Sequence, residues 1–232
     1  MEARSRGAIL LDLYVAAALS IVVGVGVAAS RFPGGYDWVY TVVSHLASTT
    51  RNPEGARWLA GSLLLAVGFL WPVTRHLAGP GAGPEGGESR GLIPVTALRV
   101  GLAGAALLAL EGLFVLDLDA LGRKGHEAVA LATFLGFYGG VLGLFFRRIR
   151  RAPAFFAPAL AVLLPLFGVG LTQLVLYLRQ DTPGWVHPGW REMGIPFWMS
   201  FAFWQWMAVG FLGLGLGVLV VTAGRSDRES RA

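Results

Sequence analysis

Six long apolar stretches alternate with short polar segments along the chain. A helix that crosses the hydrocarbon core of a bilayer needs about 20 mostly apolar residues, and each stretch reaches that length. The pattern therefore predicts an all-α integral membrane protein, a six-transmembrane-helix bundle that forms a single membrane domain over residues 1–232. The expected spans cover residues 8–29, 56–77, 92–116, 126–146, 154–178 and 197–223.

The composition points to the same class of protein. Of the 232 residues, 55% are hydrophobic and only 14% are charged, and the mean hydropathy is +0.61. Soluble domains carry about 25% charged residues, so these values exclude a disordered chain and an ordinary soluble domain. The sequence has no cysteine, which excludes disulfides, zinc–thiolate sites, iron–sulfur clusters and thiol nucleophiles.

Basic residues are distributed unequally between the two sides of the predicted bundle. With six spans both termini lie on one side, which receives eleven arginines against seven basic residues on the other. Positive charge marks the cytoplasmic side, so both termini are expected in the cytoplasm of a multi-pass cell-membrane protein. The cluster Arg147–Arg151 decides this orientation, and binding of anionic lipid headgroups is its second interpretation. The net charge of +5 is thus explained without a nucleic-acid partner.

Glycines four residues apart predict close contacts between helices, because such spacing lets two helix backbones approach. Packing inside the bundle is the preferred interpretation, and the interface of a homo-oligomer or a larger membrane complex is the alternative. The pairs are Gly136 with Gly140, Gly139 with Gly143, and Gly213 with Gly217.

Histidines and tryptophans collect on the predicted outer side. Residues 36–47 place Trp38 and other apolar residues at helical spacing, interrupted by Ser44 and His45. This indicates a short helix at the interface, which either contributes to a site or only covers the bundle. The last outer loop, residues 179–196, is rich in proline, glycine and tryptophan and carries His187, which is expected to extend a histidine cluster.

Acids and a histidine flank the connection between the third and fourth spans. Asp117 and Asp119 end one span and His126 begins the next, and a short connection makes the two helices antiparallel neighbours. Three interpretations stay open: an ordinary solvated turn, a proton-transfer or ligand site, or a divalent metal site. Within the third span, Glu111 is either a functional acid or part of a buried hydrogen-bond cluster with Gln173 and Gln205.

Short motifs on the outer side resemble a known family. These are Tyr36, Ser44-His45-Leu46-Ala47, Asn52-Pro53 and Gly61, then Gly112-Leu113-Phe114 followed by His126 and Ala128. They resemble a prokaryotic six-helix membrane family catalogued as domain of unknown function 998. The layout is more distantly similar to the DRAM/Sfk-type membrane proteins associated with lipid handling. The resemblance implies a six-helix fold and candidate positions rather than an activity.

Two main functions follow as expectations. The preferred function is binding or handling of a membrane lipid or small amphiphile in an outward-facing polar pocket. A role as an accessory subunit of a membrane complex is a further alternative. The competing one is a membrane-embedded hydrolase, loosely similar to ceramidase-like enzymes, with His45, Asp117 and His126 as catalytic residues and as ligands of a divalent metal. The expected ligand-binding residues are Ser44, Trp38, Asp119, Glu111, His187 and Gln205.

Overall fold

The computed structural model describes residues 6–77, 89–118, 120, 124–178, 194 and 196–229. Over these ranges the chain is all helical and contains no β-strand. Short 3-10 helices, Pro153–Phe155 and Phe197–Met199, precede the last two α-helices. The α-helices are α1 (Arg6–Ser30), α2 (Val43–Ala47), α3 (Ala56–Leu77), α4 (Ser89–Gly112), α5 (Gly125–Arg151), α6 (Phe156–Leu178) and α7 (Phe201–Glu229).

Five of these helices are long and apolar enough to cross a membrane. Their outward surfaces are apolar as well, since large side chains such as Val22 and Ile93 are about two-thirds exposed. Exposed side chains of this kind are stable in lipid rather than in water, so the helices fit a multi-pass membrane protein. The five segments are Gly7–Ser30, Ala56–Leu77, Leu92–Gly112, Gly125–Arg151 and Phe201–Ala223, and α6 contributes the shorter apolar segment Ala159–Val175.

The long helices alternate in direction, which gives the bundle two distinct ends. At the end that we call the site end, α1 and α4 finish, α3 and α5 begin, and residues 31–55 form a long loop. At the opposite end, called the arginine end, α5 finishes in the cluster Arg147–Arg151.

Glycines allow α4 and α5 to pack closely. A Cβ atom on Gly136 would lie only 2.5 Å from the backbone nitrogen of Gly101, and one on Gly140 only 2.8 Å from the backbone of Leu98. The neighbouring core is formed by apolar side chains from several helices, including the fully buried Phe145. The predicted packing of these two glycines inside the bundle is therefore confirmed.

Several helix ends differ from the prediction. The predicted third span, 92–116, is wrong at its end because α4 stops at Gly112. The helix of the fourth predicted span continues to Arg151 rather than ending at residue 146. Arginine is a good helix former, and a cation is favourable at a helix C-terminus. The sixth predicted span, 197–223, begins later, at Phe201, but ends at Ala223 as predicted, and its helix continues beyond the span to Glu229.

A Schellman motif ends α4. The N–H of Phe114 donates to the carbonyl of Glu111 at 2.9 Å, and the N–H of Val115 donates to the carbonyl of Leu110 at 3.0 Å. This motif requires a left-handed residue, usually glycine, and Phe114 occupies that position with a φ of 59°. The sequence lacks the usual glycine signal here, so the prediction extended the span too far.

We expect the replacement Phe114→Gly to stabilise the protein relative to Phe114→Ala. Both variants lose the aromatic ring, but only glycine removes the cost of the left-handed backbone, about 1 kcal/mol. Thermal unfolding in detergent measures the difference. Equal midpoints for the two variants would show that this backbone conformation carries no strain.

Candidate functional site

A buried asparagine fastens the long loop at the site end. The Asn52 side-chain amide donates to the carbonyl oxygens of Ala28 at 3.0 Å and Leu46 at 3.1 Å, and its Oδ1 accepts the Gly55 N–H at 3.1 Å. These three bonds connect the end of α1, the short helix α2 and the beginning of α3. Residues 52–55 form a turn, and Asn52 is fully buried in it.

The same loop is tied to the beginning of α7. The side-chain oxygen of Gln205 accepts a hydrogen bond from the backbone N–H of Val43 at 3.1 Å, and the Ser200 hydroxyl donates to the carbonyl of Val39. Gln205, expected to bind ligand, thus holds the first residue of α2. Whether it also contacts a ligand stays a prediction.

An aromatic cluster covers this side of the loop. Trp38 is half exposed, and its ring lies 4.9 Å from that of Tyr36 and 5.2 Å from that of Trp206. The Tyr36 hydroxyl donates to the Thr41 carbonyl at 2.7 Å, and burial raises the pKa of Tyr36. The helix predicted over 36–47 is confined to Val43–Ala47, because these aromatic contacts and turn hydrogen bonds hold residues 36–42 in another conformation.

The short helix α2 carries Ser44 and His45, both partly buried. Burial lowers the pKa of His45, and the positive charge of Arg51 lowers it further. His45 is therefore mostly neutral at pH 7.

We expect acid to destabilise the protein partly through His45. Its pKa in the folded state lies below the ordinary 6.5, so below pH 6.5 the unfolded chain binds more protons than the folded one. The stability contributed by neutral His45 is complete above pH 6.5 and declines as the pH falls toward the folded pKa. The variant His45→Gln should lose less thermal stability than the wild type between pH 7.5 and 5. Identical losses would contradict the assignment.

A carboxylate and an imidazole meet at the site end. Oε2 of Glu111, in the last turn of α4, lies 2.6 Å from Nδ1 of His126, the second residue of α5. The side chains are 25% and 36% exposed, respectively, so neither is fully buried. A separation this short is typical of a charge-assisted hydrogen bond.

Charges of both signs lie at the same end of the bundle as this pair. The guanidinium of Arg57, at the beginning of α3, lies 5.3 Å from the ring centroid of Phe114, three residues after Glu111. Lys124 and Glu127 form an exposed ion pair at 3.6 Å. The site end therefore presents both cations and carboxylates within the first and last turns of neighbouring helices.

The end of α2 packs against the end of α4. A Cβ atom on Gly112 would lie 3.2 Å from the carbonyl oxygen of Ala47. His45 is two residues before Ala47, and Glu111 directly precedes Gly112. This contact brings the segment with Ser44 and His45 to the same end of the bundle as the Glu111–His126 pair.

The remaining predicted residues have different outcomes. Asp117 is exposed, and its Oδ1 accepts the Ala120 N–H at 3.3 Å. Within the described ranges no three His, Asp or Glu side chains are grouped as a metal site requires, so the hypothesis of a metal held by His45, Asp117 and His126 gains no support. A shared ligand for these three stays a prediction. Asp119 and His187 lie outside the described residues.

The pairing of Glu111 with His126 was missed at the sequence level. A cluster of Glu111 with Gln173 and Gln205 was one of two interpretations of the sequence, but among the described hydrogen bonds Glu111 is joined to His126 and Gln205 to the backbone of Val43. The sequence did contain a signal for this pair. A short connection links the two helices, with an acid in the last turn before it and a histidine in the first turn after it.

Comparison with known proteins adds no further information on the site. No family model matches the sequence, and no curated protein or solved structure is significantly similar to it. The resemblance to domain of unknown function 998 therefore stays a prediction.

Proposed function

We propose that the chain crosses the membrane six times, with both termini in the cytoplasm and the site end on the outer side. The sixth span is α6, a helix of 23 residues with a strongly apolar sequence. The orientation is supported by the arginine end, since basic residues next to spans favour the cytoplasmic side.

Single cysteines test this topology, because the natural sequence has no cysteine to interfere. Ala120 and Arg150 are both exposed and lie at opposite ends of the bundle. A membrane-impermeant maleimide should label Ala120→Cys but not Arg150→Cys in intact cells, and both after permeabilisation. The reverse labelling, or labelling of both in intact cells, would overturn the orientation.

We propose that the site end binds the headgroup of an outer-leaflet phospholipid. The observation that carries the proposal is the 2.6 Å pair between Glu111 and His126, which is polar, partly exposed and located where two apolar helices end. Ionisable groups at such positions are functional candidates because their burial in a membrane is costly. Polar groups at a helix end meet the headgroup layer of the bilayer rather than its hydrocarbon core.

The charges favour a zwitterionic headgroup with N–H donors. Glu111 offers an acceptor for an ammonium group, and Arg57, which lies against the Phe114 ring at the same end of the bundle, offers a cation for a phosphate. Guanidinium groups bind phosphate well, and carboxylates bind ammonium donors through charge-assisted hydrogen bonds. Phosphatidylethanolamine has this combination, whereas phosphatidylcholine has no N–H donor.

The surface below the pair suits an acyl chain. An open apolar groove of about 550 Å³ between α4 and α5 is lined by Ile93, Val100 and Leu135, among others. Glu111 follows Val100 by eleven residues, or three helical turns, and so lies on the same face of α4 about 16 Å away. A lipid with its headgroup at the pair can therefore extend its chain along this face toward the groove.

Native mass spectrometry of the purified protein tests the proposal with phosphatidylethanolamine and phosphatidylcholine of identical chains. The wild type should prefer phosphatidylethanolamine, and Glu111→Gln and His126→Gln should each weaken that binding about tenfold, the loss of one charge-assisted bond. Lys124→Gln is the matched control, since it removes an exposed charge beside the pair. Equal affinities in all four proteins would refute the proposal.

A second candidate function is general-base catalysis of hydrolysis. The specific observation in its favour is that the Glu111 carboxylate contacts Nδ1 of His126. A carboxylate at Nδ1 favours the tautomer that is protonated there, which leaves Nε2 as the basic nitrogen. Catalytic histidines are held in the same way, and here the base would activate a water molecule at an ester of the bound lipid.

Release of fatty acid from an ester-linked phospholipid distinguishes catalysis from binding. If His126 acts as a base, His126→Gln should reduce turnover at saturating lipid by about a hundredfold or more. Binding without measurable turnover in the wild type would leave headgroup recognition as the function and exclude hydrolysis of that lipid.

A further inference from the structure

An arginine lies inside the apolar part of α4, near the arginine end of the bundle. Nε of Arg99 donates a hydrogen bond to the Thr74 hydroxyl oxygen of α3 at 3.0 Å. Thr74 is buried, and its own hydroxyl donates to the carbonyl of Trp71 at 2.8 Å. The hydroxyl is thus used both as donor and as acceptor, and it fixes the direction of the arginine side chain.

The depth of this cation is set by the two helices. Arg99 is seven residues after Leu92, where the apolar segment of α4 begins, which places its backbone about 10 Å inside the span. Thr74 is three residues before the end of α3, only about 4 Å inside. Because the guanidinium is bonded to Thr74, it reaches the level at which lipid phosphates and glycerol esters begin.

The charge of Arg99 requires an anion at this level. Among the residues that the structure describes, Arg99 makes the bond to Thr74 and no ion pair with a carboxylate. Arg99 is partly exposed, so its guanidinium is not sealed inside the protein. An intramembrane charge is costly unless it is paired, and a partner supplied by the lipid lowers that cost.

Neighbouring residues of α3 place two further interfacial groups at this end of the bundle. Arg75 is exposed and follows Thr74 directly, so it carries a second cation nearer to the helix end. Trp71 is 38% exposed and lies one turn from Arg75 on the same face, where tryptophan is favoured at the membrane interface. Cations at two depths beside an interfacial indole match the headgroup region of a phospholipid.

We propose that Arg99 and Arg75 bind the phosphate of an anionic phospholipid in the leaflet at the arginine end. Arg99 contacts the phosphate oxygens through its terminal nitrogens, while Thr74 positions it through Nε. Arg75 adds a second positive charge closer to the aqueous phase, which favours a lipid with net negative charge over a zwitterionic one. This site is separate from the Glu111–His126 pair, which lies at the opposite end of the bundle.

Native mass spectrometry of the full chain in detergent tests this site with phosphatidylglycerol and phosphatidylcholine of identical chains. The wild type should bind phosphatidylglycerol more tightly, and Arg99→Gln should reduce that affinity about fivefold, as expected for one cation near a membrane surface. Thr74→Val keeps the positive charge of Arg99 but removes the hydroxyl that positions it, and it should reduce the affinity about twofold. Arg150→Gln, an exposed charge at the same end on α5, should change it less than Thr74→Val.

Two results would overturn the proposal. The first is that Arg99→Gln and Thr74→Val both bind phosphatidylglycerol as tightly as the wild type does. If Arg99→Gln fails to fold, unchanged binding by Thr74→Val alone overturns the proposal. The other is that millimolar inorganic phosphate displaces phosphatidylglycerol, since this would identify a site for the free anion rather than for a lipid.

Discussion

Replacing Gly136 by alanine is expected to separate α4 from α5 and to destabilise the protein by about 2–3 kcal/mol. The added Cβ would lie 2.5 Å from the nitrogen of Gly101 and 2.8 Å from the carbonyl oxygen of Ala97. Both are backbone atoms, so no side-chain rotation relieves the clash and the helices must move apart. Thermal unfolding in detergent and the yield of monodisperse protein measure the effect.

Gly139 on the same helix provides a matched control. A Cβ at this position meets only the Ala97 side chain at 3.7 Å, an ordinary contact. Gly139→Ala should leave stability unchanged or raise it by up to about 1 kcal/mol, since alanine is the better helix former. Equal destabilisation by the two alanine variants would contradict the close approach at Gly136.

Asn52→Leu is expected to cost about 3 kcal/mol and to loosen the loop of residues 31–55. Leucine has a similar size but makes none of the three hydrogen bonds, so the buried carbonyls of Ala28 and Leu46 lose a donor. The N–H of Gly55 keeps only its bond to the backbone carbonyl of residue 52. Each buried polar group left without a partner costs about 1 kcal/mol or more. Thermal unfolding gives the energy, and limited proteolysis reports whether the loop becomes accessible.

Thr50→Val serves as the control in the same loop. Thr50 is exposed, and among the described residues its hydroxyl contacts that of Ser48, at 3.0 Å. Its replacement should change stability by less than about 0.5 kcal/mol. If Asn52→Leu and Thr50→Val unfold at the same temperature, Asn52 is not the anchor of the loop.

Hydropathy predicted the helices better than their ends. The span 56–77 coincides with α3 because a turn at Asn52-Pro53 precedes it and a glycine-rich segment follows it. The end of α4 was misplaced because Phe114 adopts the left-handed conformation without the glycine that usually marks it. Apolar residues after Gly112 satisfy a hydropathy criterion whether or not they are helical.

The candidate site was predicted only in part. Glu111 and His126 were predicted as separate candidates from the sequence, but their contact depends on how α4 and α5 are aligned along their axes. That alignment is fixed by the close approach of Gly136 to Gly101, more than a helical turn away from either residue. The role of Gln205 likewise depends on a contact with Val43, 162 residues distant in the chain, which periodicity cannot reveal.

The most direct test of the central claim, that the Glu111–His126 pair receives the headgroup, is a ¹⁵N NMR spectrum of histidine-labelled protein in detergent. The four histidines are few enough for His126 to be assigned by its replacement with glutamine. We predict that phosphatidylethanolamine shifts both ring nitrogens of His126, that phosphatidylcholine at the same concentration does not, and that in Glu111→Gln the shift requires about ten times more lipid. Unchanged His126 signals at a lipid concentration that saturates binding would contradict the account.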